Sequence, residues 1–318
     1  MKRILLTGAN GFVGKVLRAQ LEADGQEVIA ACTSAPVGAG TTDRTVRLDV
    51  RDPESIANAL QISRPTHVVH LAAVSHVPTS FRDPLLTWQT NVMGSLNLLD
   101  AIKQHCPEAF VLFASSSEVY GESFKAGTPL DEGAPCSPLN PYAASKVAAE
   151  TAFNEYFRQG VRGVIARPFN HIGPGQSPDF VTASFARQIA QIELGKQAPV
   201  LQVGNLEAYR DFLDVRDVCS AYLRLLELQP GTNHPRLFNI ASGQARKIQE
   251  ILDVLLAQSQ TIISVEQDPD RLRPSDIPFA VGSIGRLHAT TGWTPSHSIS
   301  ETLGDLLNYW RKQVAAEA

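Results

Sequence analysis

Apolar positions fall in short dense runs, each followed by a longer stretch with helical spacing, and the alternation persists through about residue 168. Lys2-Arg3-Ile4-Leu5-Leu6-Thr7 reads as a buried strand, after which Val16, Leu17 and Leu21 repeat at helical spacing up to Asp24-Gly25. A second strand covers Glu27–Cys32, and a third, shorter one ends at Asp49-Val50. Further strands are expected over 67–72, 110–114 and 164–166, with helices over 84–104 and 141–157. Strand–helix alternation of this kind predicts an α/β fold: a doubly wound parallel sheet with helices on both faces, the Rossmann architecture.

After Arg167-Pro168 the texture changes. His171-Ile172-Gly173-Pro174-Gly175-Gln176 is a glycine–proline loop, a helix is expected over 178–194, and turns recur at Gly195, Gly204 and Gly231. A helix over 214–228 and a strand over Leu237–Ile240 can rejoin the sheet. The expected division is a dinucleotide-binding domain of residues 1–170 plus about 212–242. A smaller, discontinuous C-terminal substrate lobe takes about 171–211 plus 243–318 and closes over the strand ends.

The chemistry begins where the first strand stops. Gly8-Ala9-Asn10-Gly11-Phe12-Val13-Gly14 lies between a strand and a helix, the context that makes a glycine pattern a phosphate site. Gly8 permits the tight turn, Gly11 lets N–H groups approach a pyrophosphate, and Gly14 lets the helix pack closely on the strand. The helix N-terminus adds partial positive charge. An acid that would hold an NAD ribose is absent from the end of the second strand, where Thr33 and Ser34 leave room for a 2′-phosphate. NADPH is therefore the expected cofactor, with NADH possible. Asp49 and Val50 are placed to meet the adenine, or to form a surface turn.

Tyr142 and Lys146 stand four apart on a helix and so share a face. A lysine beside a phenol is expected to lower the phenol's pKa and make it a usable proton donor or acceptor. Alone, the pair also suits a solvated helix face; the glycine turn upstream is what favours chemistry. A serine cluster, Ser115-Ser116-Ser117, lies about 25 residues upstream of the pair. Asn91 reads as a satisfied interior amide.

Composition narrows the class. A net charge of −4 supplies no basic field for nucleic acid or an anionic membrane. No apolar run approaches the roughly 18 residues needed to span a bilayer, and the strand at the N-terminus leaves no room for a signal peptide. Cys32, Cys106, Cys136 and Cys219 are far apart with no metal spacing, which suggests reduced thiols, a cytoplasmic location and no metal.

Together these motifs resemble the extended short-chain dehydrogenase/reductase family. The likeness rests on T-G-A-N-G-F-V-G at 7–14, H-L-A-A at 70–73, S-S-S-E-V-Y-G at 115–121 and Y-A-A-S-K at 142–146. Three later stretches, 167–176, 203–212 and 271–276, resemble the sugar-nucleotide branch that handles GDP-4-keto-6-deoxy-mannose. The resemblance implies reduction of the 4-keto group with NAD(P)H to give GDP-D-rhamnose. Ser116, Tyr142 and Lys146 would be catalytic: Ser116 donating to the ketone oxygen, Tyr142 passing it a proton, Lys146 holding the nicotinamide ribose. Leu71, Ala72 and Ala73 would line the cofactor.

Glu118 points elsewhere, because related GDP-mannose dehydratases carry a catalytic carboxylate at that place. Against them, their Thr-Ser-Glu is Ser-Ser-Glu here, and the Gln-Asp of their glycine loop is Ala9-Asn10. A dehydratase or epimerase is the alternative, and a non-catalytic dinucleotide-binding regulator a remote one. Arg210 and Arg273 are the expected partners of the substrate's diphosphate, with Arg187 as a further candidate. Ser117, Glu118, Asn170, Ser275 and Asp276 complete the expected substrate contacts. The family also implies a homodimer, paired through the helices over 84–104 and 141–157.

Overall fold

The computed structural model describes residues 1–33, 44–228, 235–271 and 277–317. Ser34, Gly231, Arg273, Ser275 and Asp276 lie outside the described residues. Among the described residues up to position 168 there are six strands: β1 (Arg3–Thr7), β2 (Glu27–Cys32), β3 (Thr45–Arg47), β4 (His67–His70), β5 (Phe110–Ala114) and β6 (Arg162–Pro168). The chain continues through β7 (Asn170–Ile172), β8 (Val200–Val203), β9 (Tyr209–Asp214), β10 (Leu237–Ile240), β11 (Ala245–Lys247), β12 (Ser264–Gln267) and β13 (Phe279–Ala280). The main sheet is parallel throughout, in the order β10-β6-β5-β4-β1-β2-β3. The order reverses between β1 and β4, and a crevice opens outside the strand ends at such a switch point.

Alternate residues of β1 serve opposite faces, as the pleat requires. Ile4 and Leu6 pack with Leu17, Val218 and Tyr222, whereas Leu5 packs with Val68, Leu98 and Phe153. In chain order the helices begin with α1 (Phe12–Ala23), α2 (Pro53–Ser63), α3 (Val77–Arg82), α4 (Pro84–Trp88), α5 (Gly94–His105), α6 (Pro141–Arg158), α7 (Val181–Glu193) and α8 (Val215–Leu225). The latter part of the chain adds α9 (Ile248–Ala257), α10 (Gly285–Thr291) and α11 (Ile299–Ala316). A separate core joins α7, α9 and α11 through Phe185, Ile189, Leu252, Leu307 and Trp310. Small sheets pair β9 with β7, β11 and β13, and β8 with β12.

Several boundaries differ from the sequence reading. The fourth strand stops at His70 because the Thr7 hydroxyl accepts the Leu71 and Ala72 N–H groups, each at 3.2 Å, and draws the chain off the ladder. The third strand ends at Arg47, so Asp49 and Val50 follow it in the turn. The helix expected over 84–104 is α4, a π-helical stretch at Gln89–Met93, then α5. Asp214 caps α8 rather than belonging to it, accepting Arg216 N–H at 2.7 Å. Among the described residues, no helix is long and apolar enough to cross a membrane.

Candidate active site

One cleft of about 1860 Å³ runs from the glycine turn across the ends of β5 and β6 to α7 and β9. A pocket for one small ligand spans about 300–1,000 Å³, so this cleft has room for a dinucleotide and a second ligand. Its first end is built by backbone. Gly8 has φ +70°, and a Cβ there would lie 2.9 Å from Ala72 N; at Gly14 a Cβ would collide with Gly8 O and Ala9. Only glycine fits both positions, and the turn delivers the N-terminus of α1 to the cleft. Asn10, Gly11, Phe12 and Val13 line it beside Leu71, Ala72 and Ala73. This cradle suits a dinucleotide pyrophosphate.

Thr33, Asp49 and Val50 line the same end. Asp49 is engaged by Arg51 at 2.6 and 3.0 Å, and that side-chain hydrogen bond holds its carboxyl below the usual range. Arg51 also lines the cleft. It is a cation the sequence reading did not consider, since it lies beyond the third strand rather than after the second.

At the centre stand the residues the sequence singled out. Ser116 Oγ accepts the Glu118 N–H at 3.1 Å. Tyr142 is buried near the start of α6, and Lys146, one turn on, donates from Nζ to Ala114 O at 2.7 Å and lies 4.8 Å over the Phe113 ring. Burial pushes the Tyr142 phenol up to about 12; its hydrogen bond with Ser116 opposes the rise and the charge of Glu118 adds to it. The expectation that Lys146 lowers the phenol is therefore corrected: the ammonium turns to a backbone carbonyl, and desolvation dominates. Burial brings Lys146 itself down to about 8.

Asn140 is a site residue the sequence reading missed. It caps α6, accepting the Ala143 N–H at 2.8 Å, while its Nδ2 donates to Glu118 Oε2 at 3.1 Å. An Asn-Pro opening a helix was the available signal. Asn91 is an interior amide: Oδ1 accepts the Val74 N–H, and Nδ2 donates to Val74 O and Ser145 Oγ.

The far end is lined by Ser117, Asn170, Arg187 and Arg210. Arg210 Nη1 donates to Tyr209 O and Ile277 O, at 2.8 and 2.7 Å. Arg187 sits over the Trp310 ring and 3.8 Å from Glu317. Arg271 also lines this end and donates to Ser184 Oγ at 3.2 Å. His171 stacks on Phe12 across the cleft at 5.9 Å, and burial lowers its pKa.

The sequence profile of the family described as GDP-mannose 4,6 dehydratase matches residues 5–306. GDP-6-deoxy-D-mannose reductase of Pseudomonas aeruginosa is 42% identical over 318 residues, covering 99% of each chain. The solved structure titled as RMD from Pseudomonas aeruginosa complexed with NADPH superposes with a TM-score of 0.86 at 40% identity, covering 98% of this chain and 100% of the other. UDP-glucose 4-epimerase of Thermus thermophilus, solved with NAD, gives 0.84 at 31% identity, covering 97% and 99%.

Proposed function

This chain belongs to the GDP-mannose 4,6-dehydratase family, and from that premise we propose that it reduces the 4-keto group of GDP-4-keto-6-deoxy-D-mannose with NADPH, giving GDP-D-rhamnose. The observation that carries the reading is the Tyr142 phenol: buried beside Ser116 and, with burial pushing it up to about 12, protonated throughout the neutral range at the centre of the shared cleft. A reductase must deliver a proton to a developing alkoxide, and a phenol with a pKa near 12 is a held donor rather than a base.

NADPH, when bound, would supply the hydride. The chain's residues do the rest. The Gly8–Gly14 turn and the N-terminus of α1 would hold the pyrophosphate; Thr33, Asp49, Val50 and Arg51 would surround the adenosine. Arg51 offers a 2′-phosphate a cation, which favours NADPH over NADH. Lys146 has two further N–H donors beyond the one on Ala114 O, for the nicotinamide ribose. Ser116 would donate to the carbonyl oxygen as charge develops, and Tyr142 would pass that oxygen its proton.

Glu118 and Asn170 would accept from sugar hydroxyls beside Ser117. Arg210, with Arg273, would clamp the diphosphate, and Arg187 and Arg271 would add positive charge at the nucleotide end. Ser275 and Asp276 belong to the same proposed lobe of about 171–211 plus 243–318. Phe81, Leu85, Trp88 and Met93 are large apolar side chains left exposed on and beside α4. They support a homodimer paired through this helical face. A cytoplasmic enzyme is the matching setting.

Mixing the protein with GDP-4-keto-6-deoxy-mannose and NADPH tests the reading, with GDP-D-rhamnose as the expected product. The second reading, a GDP-mannose dehydratase, is favoured by Glu118, which lines the cleft and acts on Tyr142. Incubation with GDP-mannose and catalytic NADP⁺ separates the two. Enzyme-like accumulation of the 4-keto-6-deoxy sugar would reverse the ranking.

A further inference from the structure

Three successive residues at the end of β5 meet three successive turns of α6. Ser116 lies beside the Tyr142 phenol, the Ala114 carbonyl accepts from Lys146 at 2.7 Å, and the Ser115 hydroxyl donates to Glu150 Oε1. Tyr142, Lys146 and Glu150 recur every fourth residue and so share one helix face. Glu150 has a second partner, Arg167 of β6, whose Nε and Nη2 reach its two oxygens at 2.9 and 2.6 Å. Arg167 also rests on the Tyr120 ring and donates to Cys136 Sγ.

All the charged members are deeply buried: Lys146 is 3% exposed, Glu150 5% and Arg167 4%. Buried ions are costly unless paired. The Glu150–Arg167 pair accounts for its own two charges, yet it sits one helical turn from a third buried charge, Lys146. We propose that Glu150 is a positioning residue of the active site: through Ser115 it holds the strand end that carries Ser116, and by balancing Arg167 it keeps the neighbouring Lys146 ammonium charged.

The surroundings of Lys146 support this assignment. From its own helix it faces Tyr142, a neutral phenol, and Glu150. From β4 it faces His70, which burial and the Lys146 charge keep neutral, down to about 3. From β5 it meets the Phe113 ring and the Ala114 carbonyl, while Arg167 of β6 is held by Glu150. Glu118, on the turn after β5, acts on Tyr142. Glu150 is the charge that offsets the burial of Lys146. Without it, Lys146 and Arg167 are both left buried with no carboxylate to balance them.

The proposal rests on the reductase reading only for turnover, so its test begins with NADPH binding and no sugar. NADPH dissociation constants are measured by cofactor fluorescence across pH, for wild type, Glu150→Gln and the double variant Glu150→Gln with Arg167→Met. In wild type, affinity should weaken as pH rises through about 8, where Lys146 loses its charge. In Glu150→Gln that midpoint should fall by about one unit or more, a tenfold change in the acidity of the ammonium. In the double variant, which removes the cation that Glu150 neutralises, it should return to within about half a unit of wild type. The high-pH limb of kcat/KM should follow the same order.

An unshifted midpoint in a folded Glu150→Gln would overturn the proposal. So would a double variant shifted as far as the single, since the effect would then come from packing and not charge. Should Glu150→Gln fail to fold, the double variant and Ser115→Ala decide. Under the proposal Ser115→Ala keeps the wild-type midpoint but loses roughly ten- to a hundredfold in kcat as Ser116 loosens; unchanged kcat would refute the positioning role. The double variant then keeps a midpoint near wild type, and a shift of a unit or more in it would refute the charge balance.

Discussion

Replacing Tyr142 by Phe removes one oxygen from a side chain that is 7% exposed and leaves the ring to fill the same space. Loss of the hydroxyl should cost at most about 1 kcal/mol of stability, a modest fall in melting temperature. The effect on turnover should be far larger. A positioned general acid contributes about 10²–10⁴ in rate, which is roughly 2.7–5.4 kcal/mol of barrier. NADPH affinity should stay within a few-fold, because the cradle is backbone at Gly8 and Gly14, and Lys146 keeps its place on Ala114 O.

The pH profile sharpens the test. The wild-type phenol, pushed up to about 12, should give no limb near neutrality. The limb that appears as pH rises through about 8 belongs to Lys146, charged below that pH and neutral above it. The slow residual turnover of Tyr142→Phe should therefore retain this limb. The assay is the fall in nicotinamide absorbance with the 4-keto sugar as substrate. Turnover near wild type, or loss of the limb together with the rate, would refute the assignment of Tyr142 as the donor.

Gly14→Ala should weaken NADPH binding more than about tenfold, measured by fluorescence titration, because the new Cβ meets Gly8 O and Ala9 backbone, which cannot yield without reshaping the turn. Arg210→Ala should weaken GDP binding by about 1.5–3 kcal/mol, the worth of a hydrogen bond to a charged group, with NADPH affinity within a few-fold; equal GDP affinity by calorimetry would remove Arg210 from the diphosphate. Light scattering at micromolar concentration should give about twice 34.5 kDa, and Leu85→Lys, which charges the exposed face of α4, should give the monomer mass.

What the sequence made legible was local. Gly8, Gly11 and Gly14 lie within one turn, and Tyr142 and Lys146 within one turn of one helix, so spacing alone carries their geometry. The parallel sheet was legible because each strand is apolar and each crossover is long. Contacts between distant segments were not. Glu118 meets Asn140 and Glu150 meets Arg167, while Arg51 closes on Asp49 only two residues away but in a turn that looks like surface. Leu71-Ala72-Ala73 is apolar enough to continue a strand; the Thr7 hydroxyl that peels it away lies far upstream, on β1. The phenol's pKa ran opposite to expectation, because neighbours in sequence show which charges are near but not how much water is lost.

The central claim is that Tyr142, Ser116 and Lys146 serve hydride reduction of a 4-keto GDP-sugar. Its most direct test is product analysis after mixing the protein with GDP-4-keto-6-deoxy-mannose and NADPH deuterated at the transferable hydrogen. The account predicts stoichiometric loss of NADPH and GDP-D-rhamnose carrying one deuterium at carbon 4. Unreacted ketone with NADPH intact, while the folded protein still binds both ligands, would contradict it.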